Sequence, residues 1–158
     1  MKIDRHLQFK EDFKTPLTNE GLKIICERLC GEPKIRFCGI INPLGRIVSG
    51  GFKNGIQPID NEGLRRMLYI QSSLELSMKE EFDNALGNVN YISTYRDNVI
   101  IIIVPMIKNL HLLMSVERNA NIEKIIKKVT SLFNCNGLVE KIREGTTNKS
   151  NTHFPACS

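Results

Sequence analysis

The sequence predicts an α/β sandwich of the α+β kind, in which a five-stranded antiparallel sheet carries helices on both faces. The first observation is the apolar run V-I-I-I-I-V-P-M-I at residues 99–107. A strand that is apolar on both faces is typical of the middle of a sheet that is covered above and below. The second observation is the order of patterns along the chain: helix, two strands, helix, three strands, helix. We therefore expect the long middle helix on one face of the sheet and the two terminal helices on the other.

The chain of 158 residues is long enough for one domain with its own core. We expect a charged, partly disordered segment at residues 1–14, a folded domain at 15–137 and a mostly disordered tail at 138–158, because the ends carry little periodic apolar signal. No apolar run approaches the roughly 20 residues that span a bilayer. The charged start also lacks the apolar core of a signal peptide. These features predict a cytoplasmic protein without a membrane partner.

The cysteines and the charge argue against a metal site, a redox motif and nucleic-acid binding. Five cysteines in a chain without an export signal favour reduced thiols. Cys26 and Cys30 are a close pair, but their spacing fits neither a zinc site nor a C-x-x-C redox motif, and we interpret them as small core residues. We predict no metal and no cofactor. The net charge of +5 is scattered along the chain, so nucleic-acid binding is not favoured.

The first third of the domain predicts a helix and a hairpin. Thr15–Pro16 is a suitable helix start and Gly31 a suitable stop. Two strand patterns, at residues 35–41 and 46–52, flank Asn42-Pro43-Leu44-Gly45, which suits a type I turn.

Glycines 39, 50 and 51 weaken these strands unless something approaches the backbone closely. We expect a tightly packed helix there, with a bound ligand as the alternative. Gly45 to Gly50 have the spacing of a phosphate loop but lack the Lys and Ser or Thr that must follow.

A long helix is predicted from a cap at Asp60 to about Leu86, with a stop at Gly87. Its apolar side chains fall on one arc, which we expect to face the core: Leu64, Met67, Leu68, Leu74, Met78, Phe82, Ala85 and Leu86. Gln71 and Glu75 lie in the middle of that arc and would need partners if buried. They are a candidate polar pocket. Either they satisfy each other and a strand residue such as Ser49 or Arg36, or they overhang solvent, or they bind a polar ligand or transfer a proton.

Tyr69 and Leu76 stand on the opposite, charged side of this helix, as a partner surface would. A three-stranded meander follows, made of a half-exposed strand at Val89–Tyr95, the apolar run at 99–107 and a return strand at 110–117. The last helix begins at a cap, Asn121, and carries lysines on its outer face. No histidine has a companion in sequence that suggests a catalytic or metal cluster.

This element order resembles the Roadblock/dynein light chain family of the profilin-like and longin-like group, on its topology and the G-R-I-V step in the hairpin. More closely, residues 35–52, 65–83 and 115–125 are similar to an uncharacterised domain family of ammonia-oxidising archaea (Thaumarchaeota). The likeness covers about residues 18–134. The Roadblock resemblance implies a homodimer in which the long helix and the third strand meet their copies. The interface would then contain these residues: Tyr69, Leu76, Val89, Tyr91, Ser93 and Tyr95.

Function follows as an expectation from this resemblance. We expect a noncatalytic regulatory or scaffolding homodimer that binds another protein, such as a small GTPase or signalling component. The alternative is a small-molecule sensor of PAS-like or profilin-like shape, with Gln71 and Glu75 lining its pocket. Weak nucleic-acid binding through the lysines of the last helix is a third reading. An enzyme is not expected, because no nucleophile, base and orienting group can be assembled from the motifs.

Overall fold

The computed structural model describes residues 18–139, which form four helices and five strands. In chain order these are α1 (Asn19–Cys30), β1 (Ile35–Ile41), β2 (Ile47–Phe52), α2 (Glu62–Glu80), α3 (Asp83–Leu86), β3 (Ile92–Tyr95), β4 (Val99–Pro105), β5 (His111–Glu117) and α4 (Ile122–Cys135). The predicted segment at 1–14 and residues 140–158 of the predicted tail at 138–158 lie outside the described residues. Within residues 18–139, no helix is long and apolar enough to cross a bilayer.

The strands form one antiparallel sheet in the order β2-β1-β5-β4-β3. The predicted fold class, a five-stranded antiparallel sheet with helices, is confirmed. The placement of the apolar run at the centre was wrong in detail. β5 occupies the centre and β4 lies one strand further out, flanked by β5 and β3. The requirement that the run be covered on both faces still holds, because Ile100 to Val104 are all buried.

The side chains of β4 alternate between two cores, because successive residues of a strand point to opposite faces. Ile100 and Ile102 pack with residues of α1 and α4 in the larger core. Ile101 and Ile103 pack with residues of α2 in the smaller core on the other face. The long helix therefore covers one face and the terminal helices the other, as the sequence predicts.

The helix starts are fixed by side-chain caps. Thr18 caps α1 by accepting a hydrogen bond from the backbone of Gly21, whereas the predicted start at Thr15–Pro16 lies outside the described residues. Asn61 caps α2 in place of the predicted Asp60. The carboxylate of Asp60 instead accepts from Arg65 at 3.3 Å. Asn121 caps α4 as predicted.

Three predicted elements are longer than the observed ones. The long helix stops at Glu80, and residues up to Leu86 form the separate short helix α3. The half-exposed strand begins at Ile92 instead of Val89. The apolar run also ends as a strand at Pro105, after which a short 3₁₀ turn, Ile107–Asn109, leads into β5. Proline ends the ladder there because it has no N–H to donate.

The close approach by a helix that the sequence indicated is found at Gly50. At Gly39 the nearest atoms belong to strand residues, and at Gly51 an added Cβ would meet no atom within 4 Å. Gly50 has a φ of +96°, and a Cβ at this position would lie 2.1 Å from the carbonyl oxygen of Cys38 and 3.0 Å from the sulfur of Cys26. The helix α1 therefore packs directly on the backbone of the hairpin at this point.

The predicted core face of the long helix was wrong. Leu64, Met67, Leu74, Met78, Phe82 and Leu86 are exposed, and Ala85 is exposed as well. Leu68 is the one residue of that arc that packs, half-buried, against the smaller core. The buried residues of α2 are Tyr69, Ser72 and Leu76, on the side predicted to face outward.

Candidate functional site

The outer side of α2 and α3 carries a row of exposed apolar side chains, here called the outer stripe. Its members are between 54% and 81% exposed: Leu64, Met67, Leu74, Met78, Phe82 and Leu86. Single exposed apolar residues are ordinary, but a continuous row along a helix is typical of a surface that another molecule covers. The outer stripe is therefore the candidate functional surface of the described chain.

Gln71 and Glu75 lie within the outer stripe and line a groove of about 780 Å³ between the end of α2, α3 and Val89. Gln71 is exposed and Glu75 is half-buried, so the carboxylate keeps contact with water. The sequence predicts either that this pair is buried with partners or that it lies over solvent. The structure contradicts the first alternative and agrees with the second. Arg36, proposed as their partner, instead pairs with Glu117 at 3.4 Å. The groove is mainly apolar, with three polar side chains in its wall, those of Gln71, Glu75 and Lys79.

The strand β3 forms one edge of the sheet, with β4 as its neighbour on one side, and Val89, which precedes it, lines the groove beside members of the outer stripe. Tyr91 and Tyr95 are exposed, and Ser93 is half-buried. The guanidinium of Arg118 lies 5.0 Å from the ring centre of Tyr95. An edge strand presents unpaired N–H and C=O groups that another strand can pair with. The edge of β3 is therefore a second candidate surface, linked to the outer stripe through Val89 in the groove.

The predicted partner residues on α2 do not reach this surface. Tyr69 is 8% exposed and Leu76 is 5% exposed, and both pack in the smaller core with Ile101 and Ile103. The ring of Tyr69 stacks on that of Phe37 at 5.9 Å. Their assignment to an outward face was therefore wrong. Val89 is half-buried against the same core.

The outer stripe was missed as a surface although its residues were recognised as one arc. A second signal in the sequence could have placed it correctly. Gln71 and Glu75 interrupt the arc at its centre, and a buried carboxylate without a partner would cost several kcal/mol. The opposite side presents Tyr69, Ser72 and Leu76, whose polar groups are two neutral hydroxyls. The cost of burying the Glu75 carboxylate therefore favours the side with Tyr69, Ser72 and Leu76 as the core face.

Beneath α2, a buried polar contact joins the helix to the centre of the sheet. Nε2 of His111 lies 2.8 Å from the hydroxyl oxygen of Ser72. That hydroxyl donates to the carbonyl of Tyr69 at 2.8 Å, so it accepts from the imidazole N–H. Burial lowers the pKa of His111 to about 4. A neutral, enclosed pair of this kind anchors the helix, and it offers no group that can reach a substrate.

A second cavity of about 550 Å³ opens between the first half of α2 and the sheet. Phe37, Phe52 and Leu113 line it, together with Arg65 and Gln71. The guanidinium of Arg65 lies over the ring of Phe52 at 4.8 Å. Apolar walls with a few convergent polar groups are typical of small-molecule sites. Gln71 lines this cavity as well as the groove, whereas Glu75 lines the groove.

Metal binding has no support in the described part of the chain, because residues 18–139 contain no group of three or more histidine, cysteine or acidic side chains that could hold an ion. Cys26, Cys30 and Cys38 are free thiols. Cys135 is disulfide-bonded, so the expectation of uniformly reduced thiols was wrong for that residue.

Comparison with protein families gives the identity of this domain. A family model with the description "Family of unknown function (DUF6659)" matches residues 18–136. The chain belongs to this family. A comparison with curated proteins finds no match.

Solved structures similar to this DUF6659 chain share its fold at low sequence identity. A Roadblock/LC7 domain from Streptomyces avermitilis has 14% identity and a TM-score of 0.57, over 72% of this chain and 92% of that one. The gliding protein MglB from Thermus thermophilus has 10% identity and a TM-score of 0.59, over 72% and 83%. A structure titled MglB with tetrameric arrangement has 11% identity and a TM-score of 0.62, over 75% and 86%. The DUF6659 chain therefore has the Roadblock/LC7 fold.

Proposed function

We propose that this protein is a noncatalytic regulatory or scaffolding homodimer that presents a composite surface to another protein. The observation that carries the proposal is the outer stripe, together with the free edge of β3. A second copy of this chain could bind both parts of the surface. Across a two-fold axis, the outer stripe of one protomer would pack on the outer stripe of the other, and the two β3 edges would pair.

The chemistry of the surface favours a copy of this chain over a small ligand. The outer stripe extends from Leu64 to Leu86 and so occupies the whole length of α2 and α3. A small molecule in the 780 Å³ groove would cover one end of it. Tyr91 and Tyr95 add aromatic side chains, which are enriched in protein interfaces. Gln71 and Glu75 would lie near the middle of such an interface and fix its register.

The similar structures support an assembly of this kind. One of them is titled MglB with tetrameric arrangement, which shows that a protein of this fold associates with its own copies. The Roadblock resemblance also implies a small GTPase or another signalling component as the protein partner. An origin among ammonia-oxidising archaea rests on the sequence resemblance, and both this origin and a cytoplasmic location belong to the same proposal.

Sedimentation of the full chain over a wide concentration range tests the dimer. We expect a dimer for the wild type and a monomer for a variant that carries Leu74→Glu and Met78→Glu, because two carboxylates would be buried in the apolar interface. Both residues are more than half exposed, so circular dichroism of the variant should match the wild type.

The matched control is Ile24→Glu on α1, which also replaces an exposed apolar helix residue. It should leave the dimer intact, because α1 lies on the other face of the sheet. A wild type that stays monomeric at every concentration would overturn the proposal. The protein partner is then sought by affinity capture from native cells, with the Leu74→Glu, Met78→Glu variant as the comparison bait.

Small-molecule sensing is the second candidate function, and the 550 Å³ cavity favours it. Its position between α2 and the sheet means that a bound ligand would touch both the smaller core and the base of the outer stripe. Thermal unfolding with a library of small anionic aromatic compounds tests this candidate. A stabilising compound whose effect disappears in Arg65→Gln supports sensing, whereas an equal effect in that variant contradicts binding at this cavity.

A further inference from the structure

Three free cysteines meet where α1 packs on the hairpin. Cys26 and Cys30 lie one turn apart on the same face of α1, and Cys38 of β1 packs in the same core and lies within hydrogen-bonding reach of both. Cys26 is 2% exposed and Cys38 is fully buried, whereas Cys30 is half-buried at the end of the helix. One thiol of the cluster thus has access to solvent and the other two lie behind it.

Gly50 makes room for this cluster. A Cβ at this position would lie 2.1 Å from the carbonyl oxygen of Cys38 and 3.0 Å from the sulfur of Cys26, so a side chain there would push β2 away from β1 and α1. Gly51 is the partner of Cys38 in the β1–β2 ladder, and its carbonyl oxygen lies 3.9 Å from the sulfur of Cys30. The helix and the hairpin therefore meet closely at the cysteines.

Electrostatics distinguish the thiols. The pKa of Cys30 falls to about 7, because its sulfur accepts a hydrogen bond from the Cys38 thiol and because Lys53 lies nearby. Hydrogen bonds with Cys26 and Cys30, together with burial, raise the pKa of Cys38 well above its usual value. Lys53 donates to the backbone carbonyl of Glu32 at 2.8 Å. The carboxylate of Glu32 is itself paired with Lys128, so it does not cancel the charge of Lys53.

We propose that Cys30 and Cys38 are a peroxide-reactive thiol pair that closes into a disulfide between α1 and β1. Cys30 is the nucleophile because it is the accessible member and is activated as a thiolate. Cys38 is the resolving residue because its thiol contacts the sulfur of Cys30 from the strand below. Cys26 is poorly placed to form a disulfide with Cys30, because side chains one turn apart on a helix point in nearly parallel directions.

The chemistry balances with hydrogen peroxide as the oxidant. The thiolate of Cys30 attacks one peroxide oxygen, the O–O bond breaks, and the leaving hydroxide takes a proton to give water and a sulfenic acid. The sulfur of Cys38 then attacks the sulfenic sulfur. Its proton and the departing hydroxide leave as a second water, and the S–S bond forms. In total, two thiols are oxidised and one peroxide is reduced to two waters.

Peptide mapping of the full chain tests the pair directly. Trypsin places the three cysteines on separate peptides, at residues 24–28, 29–34 and 37–46. After treatment with hydrogen peroxide, alkylation of the remaining thiols and non-reducing digestion, we expect peptide 29–34 linked to peptide 37–46. In Cys38→Ala the link should be absent, and dimedone should label Cys30 as a sulfenic acid. In Cys26→Ala the link should form as in the wild type.

The pH dependence of alkylation gives a second readout that does not depend on disulfide formation. In the folded chain, the rate at Cys30 should rise with a midpoint near pH 7, and in urea the midpoint should move towards the ordinary value of 9.0. Lys53→Gln should raise the folded midpoint. A midpoint near 9 in the folded chain, a dominant link between peptides 24–28 and 29–34, or no link after peroxide would each overturn the proposal.

Discussion

Nε2 of His111, at the start of the central strand β5, lies 2.8 Å from the hydroxyl of Ser72 in the middle of α2. Both residues are almost completely buried, with exposures of 1% and 2%. The contact joins the helix that carries the outer stripe to the sheet beneath it. Because Ser72 accepts from the imidazole and donates to the carbonyl of Tyr69, the contact holds one tautomer of a neutral histidine.

The neutral state of His111 should make stability depend on pH. Burial lowers its pKa from 6.5 to about 4 in the folded chain, so the unfolded chain binds more protons between these two values. This contribution to stability is complete above pH 6.5 and is lost as the pH falls towards 4. The full effect is about 3 kcal/mol. Urea unfolding from pH 7 to pH 4 measures it.

His111→Gln is the matched control for this effect, because a glutamine amide can still donate to Ser72 and does not titrate. The carboxylates titrate in the same way in the wild type and the variant, so their contribution to the pH dependence cancels in the comparison. The variant should therefore lose less stability than the wild type over the same pH range. Equal losses in the two proteins would show that His111 is not the group responsible.

Loss of the hydroxyl should also be measurable at neutral pH. Ser72→Ala leaves the imidazole N–H of His111 without an acceptor, and an unsatisfied buried donor costs about 1–3 kcal/mol. Ser73→Ala is the comparison, because Ser73 donates from a half-buried position to the carbonyl of Asn42 at 3.0 Å and water can replace it. The free energy of unfolding should fall more in Ser72→Ala. A larger loss in Ser73→Ala would contradict the importance of the buried contact.

The adjacent glycines of β2 predict opposite results for the same substitution. Gly50→Ala places a methyl group 2.1 Å from the carbonyl oxygen of Cys38 and forces alanine into a φ of +96°. It should destabilise the fold by more than about 2 kcal/mol, from the clash and the backbone strain together. Gly51→Ala meets no atom within 4 Å and requires no positive φ, so it should be neutral or slightly stabilising. Thermal unfolding of both variants compares them, and equal effects would contradict the close approach of α1.

The sheet could be predicted from the sequence because its signals are local. The run at 99–107, the turn at 42–45 and the cap at Asn121 each fix an element through the properties of neighbouring residues. The central position of β5 could not be predicted, since strand order depends on pairings between distant segments. The contact between His111 and Ser72 has the same origin, because 39 residues separate them.

The face of α2 could not be predicted from hydrophobicity, since the more apolar arc is the exposed one. Periodicity shows that a helix has an apolar side, but it does not distinguish a core from an interface. The polar side chains of Gln71 and Glu75 are the feature of the sequence that distinguishes the exposed face of α2 from its core face. The chain places its charged and amide side chains within the outer stripe and keeps neutral groups, such as Tyr69 and Ser72, for the core.

Leu74 and Leu76 provide the sharpest test of this reversal, because they are two residues apart on the same helix and have the same side chain. Leu76 is 5% exposed and packs in the smaller core, so Leu76→Ala should destabilise each protomer by about 2–5 kcal/mol. Leu74 is 59% exposed, so Leu74→Ala should leave the protomer's stability within about 0.5 kcal/mol. If the outer stripe is the dimer surface, Leu74→Ala should still weaken association. Urea unfolding at a concentration where the chain is monomeric, combined with sedimentation at high concentration, separates the two effects. If Leu74→Ala lost more protomer stability than Leu76→Ala, the side of α2 that carries Leu74 would face the sheet, as the hydrophobic pattern predicts.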